Sequence, residues 1–172
     1  MHSYEPPDLD DMTMVEAIDA VTADLLDHQV AAFPYGVFTV MRHIDLLCHL
    51  TARAADDAHF GLAYEHADPA DQARVEPLSR TAAHLGRATA RYTLALAPSL
   101  TLHLSDPDAP STPHSQLDRL DAHSRLVRHA HGALLALSHA RTCLTTPLPP
   151  GGQTTPAVLP PVPSPPAAKP RH

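Results

Sequence analysis

Fourteen histidines in 172 residues are the first chemistry to weigh, because imidazole titrates near neutral pH and is the commonest metal ligand. Five of them, His114, His123, His129, His131 and His139, fall in the stretch from Thr112 to Leu144. Metal sites in helical bundles draw histidines and carboxylates from facing helices, often at i, i+3 or i+4. Asp45 and His49 have that spacing in the second expected helix, and His123 and His131 lie near the apolar side of the last one. His49, His123 and His131 are therefore the metal candidates. No HExxH, Glu-x-x-His or His-x-x-x-His spacing accompanies them.

Two local patterns resemble known helical families. His49-Leu50, late in the second helix, resembles the histidine of DinB-type helical metal proteins, although the later histidine pair of that family is missing. Arg53 and His59, and Arg125 and His131, have five residues between them, and Arg42 and His49 have six. That spacing resembles the motif of HEPN-type ribonucleases, which are also helical bundles, and the resemblance implies a catalytic arginine–histidine pair. Chance alone supplies about three such spacings in a chain this rich in both residues.

A third pattern is cationic. Arg80, His84, Arg87 and Arg91 follow at steps of four, three and four, so they share one outward arc of a helix and form a partner-binding ridge. Glu76, four residues before Arg80, supplies one counter-charge. Arginine ridges attract phosphate backbones, but this one has no interleaved aromatics. Lys+Arg is 12 against Asp+Glu 19, and a formal charge of -7 argues against a general nucleic-acid binder. No Lys or Arg precedes Arg42. Acidic helix one and basic helix three should thus attract one another, within the fold or between subunits.

Nucleophilic catalysis has no support, since there is no GxSxG and no phosphate-cradling loop among only 6 glycines. Cys48 and Cys143 lie in no CxxC spacing and read as reduced thiols packed like small hydrophobes. No cofactor is expected.

The elements that must position these residues are helices. Thr13 and Glu16 form a capping box, and Val15, Ile18, Val21 and Leu25 make the stripe of a first helix reaching about Val30, with Glu16, Asp24 and Asp27 on its outer face. Phe33-Pro34-Tyr35-Gly36 interrupts it. A second helix to about Ala58 puts Val37, Val40, Met41, Ile44, Leu47, Cys48 and Ala55 on one arc and turns His49 outward. Asp68-Pro69 opens a third helix, which should end before Pro98, with Pro77 kinking it. Leu100, Leu102 and Leu104 alternate with polar residues, so residues 98–111 read as a long extended connection. The fourth helix follows from Thr112-Pro113, with Leu120, Leu126, Val127, Ala130, Ala133, Leu134, Leu137 and Leu144 facing its partners.

These elements predict an all-α protein, an antiparallel four-helix bundle over residues 12–146 in which helix four packs centrally. A flexible acidic lead-in, residues 1–11, precedes it, and a disordered Pro-rich tail, residues 147–172, follows. With no Trp and 4% aromatic residues, the core must be Leu, Ala, Val and Ile. No apolar run approaches the ~18 residues of a membrane span and no leader is visible, which predicts a cytoplasmic protein without membrane association. The Lys-poor composition, rich in Ala, Arg, His and Pro, is that of high-GC coding and points to a bacterium. The expected function is a small helical interaction or regulatory accessory protein without catalytic activity, acting on a protein partner or as a homodimer. A histidine-dependent metal-binding or HEPN-like ribonuclease bundle is the alternative, and a nucleic-acid-associated helical protein the second.

Overall fold

A computed structural model describes residues 9–30, 36–63, 69–105 and 112–146, and of residues 69–72 the backbone alone. The Pro-rich tail and the first eight residues lie outside the described residues. A 3-10 turn (Leu9–Asp11) leads into α1 (Met14–Asp27), α2 (Gly36–Ala63), α3 (Pro69–Leu104) and α4 (Pro113–Thr145), and the described residues contain no strand.

The starts of α1 and α4 follow from their caps. The Thr13 hydroxyl accepts from Glu16 N–H while the Glu16 carboxylate accepts from Thr13 N–H at 2.9 Å, so two backbone donors at the head of α1 are satisfied reciprocally. The same hydrogen bonding to Thr13 holds the Glu16 carboxyl below its ordinary range. Thr112 accepts from Ser115 N–H at 3.2 Å, and Pro113 occupies a first-turn position that needs no donor.

The helices form a ring in chain order. α2 packs on α3, α3 on α4, and α1 closes the ring against both α4 and α2, while neither α1 and α3 nor α2 and α4 pack along one another among the described residues. Cross-helix contacts run antiparallel: the hydroxyls of Thr51 and Thr89 meet at 3.3 Å while His43 lies against Tyr92, and Thr81 donates to the Ala140 carbonyl at 3.3 Å while Arg91 lies over Gly132. α3, not α4, makes the two longest seams. With 14 residues, α1 is about 21 Å long and flanks only part of the 33-residue α4, which is about 50 Å.

The seams are built on alanine and leucine. On α4 the buried residues are Ala122, Leu126, Ala133, Ala136, Leu137 and Ala140, whereas Leu120 and Val127, expected inside, are exposed. Small side chains let α3 approach closely, so alanine rather than bulk marks the packed side. On α2 the seam is Val40, His43, Leu47, Leu50, Ala54 and Ala58, at steps of three and four. Met41, Cys48 and Ala55, placed on the inner arc by the sequence pattern, are exposed instead. The inner stripe passes through a histidine, and a pattern weighted by hydrophobicity rotates away from it.

Three other expectations change. Residues 98–104 are the last turns of α3, not an extended connection: Pro98, Ser99 and Leu102 are buried, and Leu104 is 75% exposed. Burial of one residue in each turn holds the helix together past a proline that removes a backbone donor. Leu9, in the expected lead-in, is buried, and the Arg53 guanidinium of α2 donates to the carbonyls of Leu9 and Met12, tying the 3-10 turn down. Helix one and helix three are diagonal and do not pack directly on one another among the described residues. Asp19 of α1 instead pairs with Arg141 of α4 at 2.6 Å.

Candidate functional site

The strongest concentration of buried polar groups lies on the α1–α2 seam, beside Tyr92 of α3. Asp24, expected on the acidic outer face of α1, is only 5% exposed. Its Oδ1 accepts from Arg42 Nη2 at 2.7 Å and lies 3.1 Å from His28 Nδ1, one turn further along the chain. Its Oδ2 lies 3.5 Å from Nε2 of His43. His43 is completely buried, and the Tyr92 ring of α3 meets it edge-on at 5.2 Å. Neither ring nitrogen of His43 has a hydrogen-bond partner among the described residues.

The electrostatics follow from burial. Loss of solvation pushes the His43 pKa down to about 4, outweighing the attraction of the Asp24 carboxylate, so the ring is neutral at pH 7 and Arg42 supplies the cation that balances Asp24. Burial also pushes Tyr92 up to about 12, with Asp24 adding to the effect. The cluster ties α1 to α2, and His43 of α2 in turn meets Tyr92 of α3. Fully enclosed, His43 offers no atom to a dissolved substrate.

The sequence-level metal candidates do not come together in one subunit. His49 on α2 lies 3.0 Å from the Asp10 carboxylate rather than on Asp45, and it belongs to a helix that does not pack along α4. His123 and His131 are exposed on α4. No group of three His, Cys, Asp or Glu side chains among the described residues has a geometry that could hold a metal ion. The arginines of the HEPN-like spacings have other partners: Arg42 pairs with Asp24, Arg53 with two backbone carbonyls, and Arg125 with Asp121 at 2.9 Å.

The cationic ridge is brought together and enlarged. Arg87 Nη1 donates to His84 Nδ1 at 3.3 Å, and the His84 ring meets His139 of α4 edge-on at 5.4 Å. Arg91 lies across Gly132 of α4, its Cδ 3.5 Å from where a β-carbon would stand. Partial burial, then Arg87, His139 and Arg80, hold His84 below its ordinary pKa. Partial burial, then Arg91, Arg128 and Arg125, do the same for His129, whose Nδ1 is buried without a hydrogen-bond partner among the described residues. A basic strip therefore runs along the α3–α4 seam. Arg80 pairs with Glu76 at 3.9 Å and Arg125 with Asp121, whereas Arg87, Arg91 and Arg128 form no ion pair among the described residues.

The strip belongs to a wider division of charge. The 3-10 turn, α1 and α2 carry nine carboxylates against two arginines, while α3 and α4 carry eight arginines against four carboxylates. One half of the ring is acidic and the other basic.

A cleft of about 520 Å3 opens at the end of the bundle where α1 begins, between Met14, Phe60, Leu78 and Leu144, with Asp57 and Arg74 among its walls. Its lining includes no histidine or cysteine.

Sequence reasoning missed Asp24, His43 and Tyr92 as a group. The signal was present: His43 stands between Val40 and Leu47 at steps of three and four, so a helix burying those two residues must bury the histidine with them. It also missed the α4 half of the basic strip, because residues far apart in sequence join only when α3 and α4 pack antiparallel.

Fold and surface together define a charge-divided four-helix bundle. No helix among its described residues is long and apolar enough to cross a membrane. Comparison with known proteins gives no matching family model, no similar curated protein and no similar solved structure.

Proposed function

We infer that the chain is a helical interaction module that docks an acidic protein surface on its α3–α4 face and carries out no catalysis itself. The observation behind this reading is the basic strip: Arg80 and Arg87 of α3 flank His84 and His139, and Arg91 lies by Gly132 and His129 of α4, next to Arg128. Like charges so placed repel one another and gain from a partner carboxylate surface, which steers encounter as well as orienting it. The enclosure of His43 and the engagement of Arg42, Arg53 and Arg125 favour this reading over an enzyme. The absence of tryptophan, phenylalanine or tyrosine from the strip favours a protein partner over single-stranded nucleic acid, which stacks its bases on aromatic rings.

The test is fluorescence anisotropy with labelled polyglutamate and with duplex and single-stranded oligonucleotides, over a range of salt. Polyglutamate should bind, and Arg87→Glu with Arg91→Glu should abolish the binding. Tighter binding of an oligonucleotide, with a steep salt dependence, would transfer the strip to nucleic acid. Indifference to every polyanion would overturn the reading.

A further inference from the structure

Twelve large apolar side chains are exposed among the described residues, and eight of them lie on α2 and α4. On α2, Phe38, Met41, Asp45, Cys48, Ala52 and Ala55 follow at alternating steps of three and four, all exposed, and Leu62 ends the same stripe. On α4, Leu117, Leu120, Ser124, Val127, His131 and Leu135 make a similar exposed stripe. Each helix thus carries a second heptad-like seam beside the one that builds its own core. Because α2 and α4 are diagonal in the ring and do not pack along one another, these outer seams face away from each other. The α2 seam belongs to the acidic half, with Asp45 within it, and the α4 seam to the basic half, with Arg128 beside Val127.

We propose that the occupant of each seam is a second copy of this chain, α2 of one molecule packing on α4 of the next. This rests on the reading of the chain as an interaction module and adds a second surface to the α3–α4 strip. Two seams of matching period and opposite charge complement each other, whereas a seam meeting its own copy would face like charge: Asp45 and Asp56 on α2, Arg128 on α4. Contact over the 19 residues from Leu117 to Leu135, about 28 Å, covers on the order of 800 Å2 in total, the size of a weak, concentration-dependent contact. The joining surfaces lie on opposite sides of the molecule, so the contact is head-to-tail and repeats until it closes into a ring or extends as a chain.

Sedimentation velocity on the full chain tests this. The mass should rise with concentration past that of a dimer and fall as salt is added. Leu120→Glu with Val127→Glu blocks the α4 seam, and Phe38→Glu with Met41→Glu blocks the α2 seam. These side chains are 53–67% exposed, so the variants should keep the circular dichroism of the parent. Each variant alone should be monomeric, and an equimolar mixture should form a dimer and nothing larger, because each copy retains one complementary seam. A monomeric parent at several hundred micromolar overturns the proposal, and so does a mixture that stays monomeric or a single variant that still dimerises. A monomeric parent that still binds polyglutamate through Arg87 and Arg91 would remove the self-association and leave the docking reading standing.

Discussion

Asp24 of α1 and His43 of α2 face each other across a seam closed to water, Oδ2 3.5 Å from Nε2, while Arg42, the residue before His43, holds the other oxygen of the same carboxylate at 2.7 Å. One carboxylate thus serves two adjacent α2 residues, one charged and one neutral. Burying a charge is costly unless it is paired, and Arg42, one-third exposed at its side chain, provides that pairing without being buried itself.

The neutrality of His43 makes stability depend on pH with a definite sign. Its pKa falls from an ordinary 6.5 to about 4 on folding, so between those values the unfolded chain binds more protons than the folded one. Stability contributed by the neutral ring is complete above pH 6.5 and is lost as the pH falls towards 4, by at most about 1.4 kcal/mol per pH unit for this single proton. Urea denaturation of the parent and of His43→Gln at steps from pH 7.5 to 4.5 measures it. The parent should lose ground relative to the variant across that window, and parallel curves would mean that another group titrates.

Replacing Asp24 by Asn keeps its shape and removes its charge. Arg42 then loses its counter-charge, and the variant should lose about 2–3 kcal/mol. Arg42→Ala leaves the Asp24 charge buried without its counter-ion and should cost at least as much, about 3 kcal/mol. The double variant should cost less than the two together, since the residues share one interaction. Thermal melts give the ranking, and equal single effects that add would show the pair to be uncoupled.

Adjacent residues of α4 test the face assignment. Leu126 is 1% exposed and Val127 53%. Leu126→Ala should destabilise by about 2–4 kcal/mol through the cavity it leaves. Val127→Ala should stay within about 0.5 kcal/mol when measured at low micromolar concentration. The opposite order in chemical denaturation would rotate α4 on its neighbours.

Much of the fold was legible locally because caps and breaks are local chemistry. Thr13 with Glu16, and Thr112 with Pro113, announce two of the four helix starts from a few residues each. The end of α3 was not legible. Pro98 reads as a terminator, and only the burial of Ser99 and Leu102 against other helices keeps the last turns wound. The inner faces of α2 and α4 were legible to within a fraction of a turn, for the same reason that both were displaced. Hydrophobicity counts Val127 and Met41 above Ala122 and His43, whereas packing selects residues that let helices approach or that meet a buried partner.

By itself, the amino-acid sequence determined an all-helical bundle with an aliphatic core poor in aromatic residues, and the cationic spacing of Arg80, His84, Arg87 and Arg91. These depend on neighbours within a turn or two, where backbone geometry leaves little freedom. The tertiary structure alone decided that α1 meets α2 and α4 but not α3, that Asp24 is buried with His43, that His49 is separated from His123 and His131, and that His84 meets His139. Each of these is a contact between helices, set by the summed packing of whole faces, and no short stretch of sequence carries that sum.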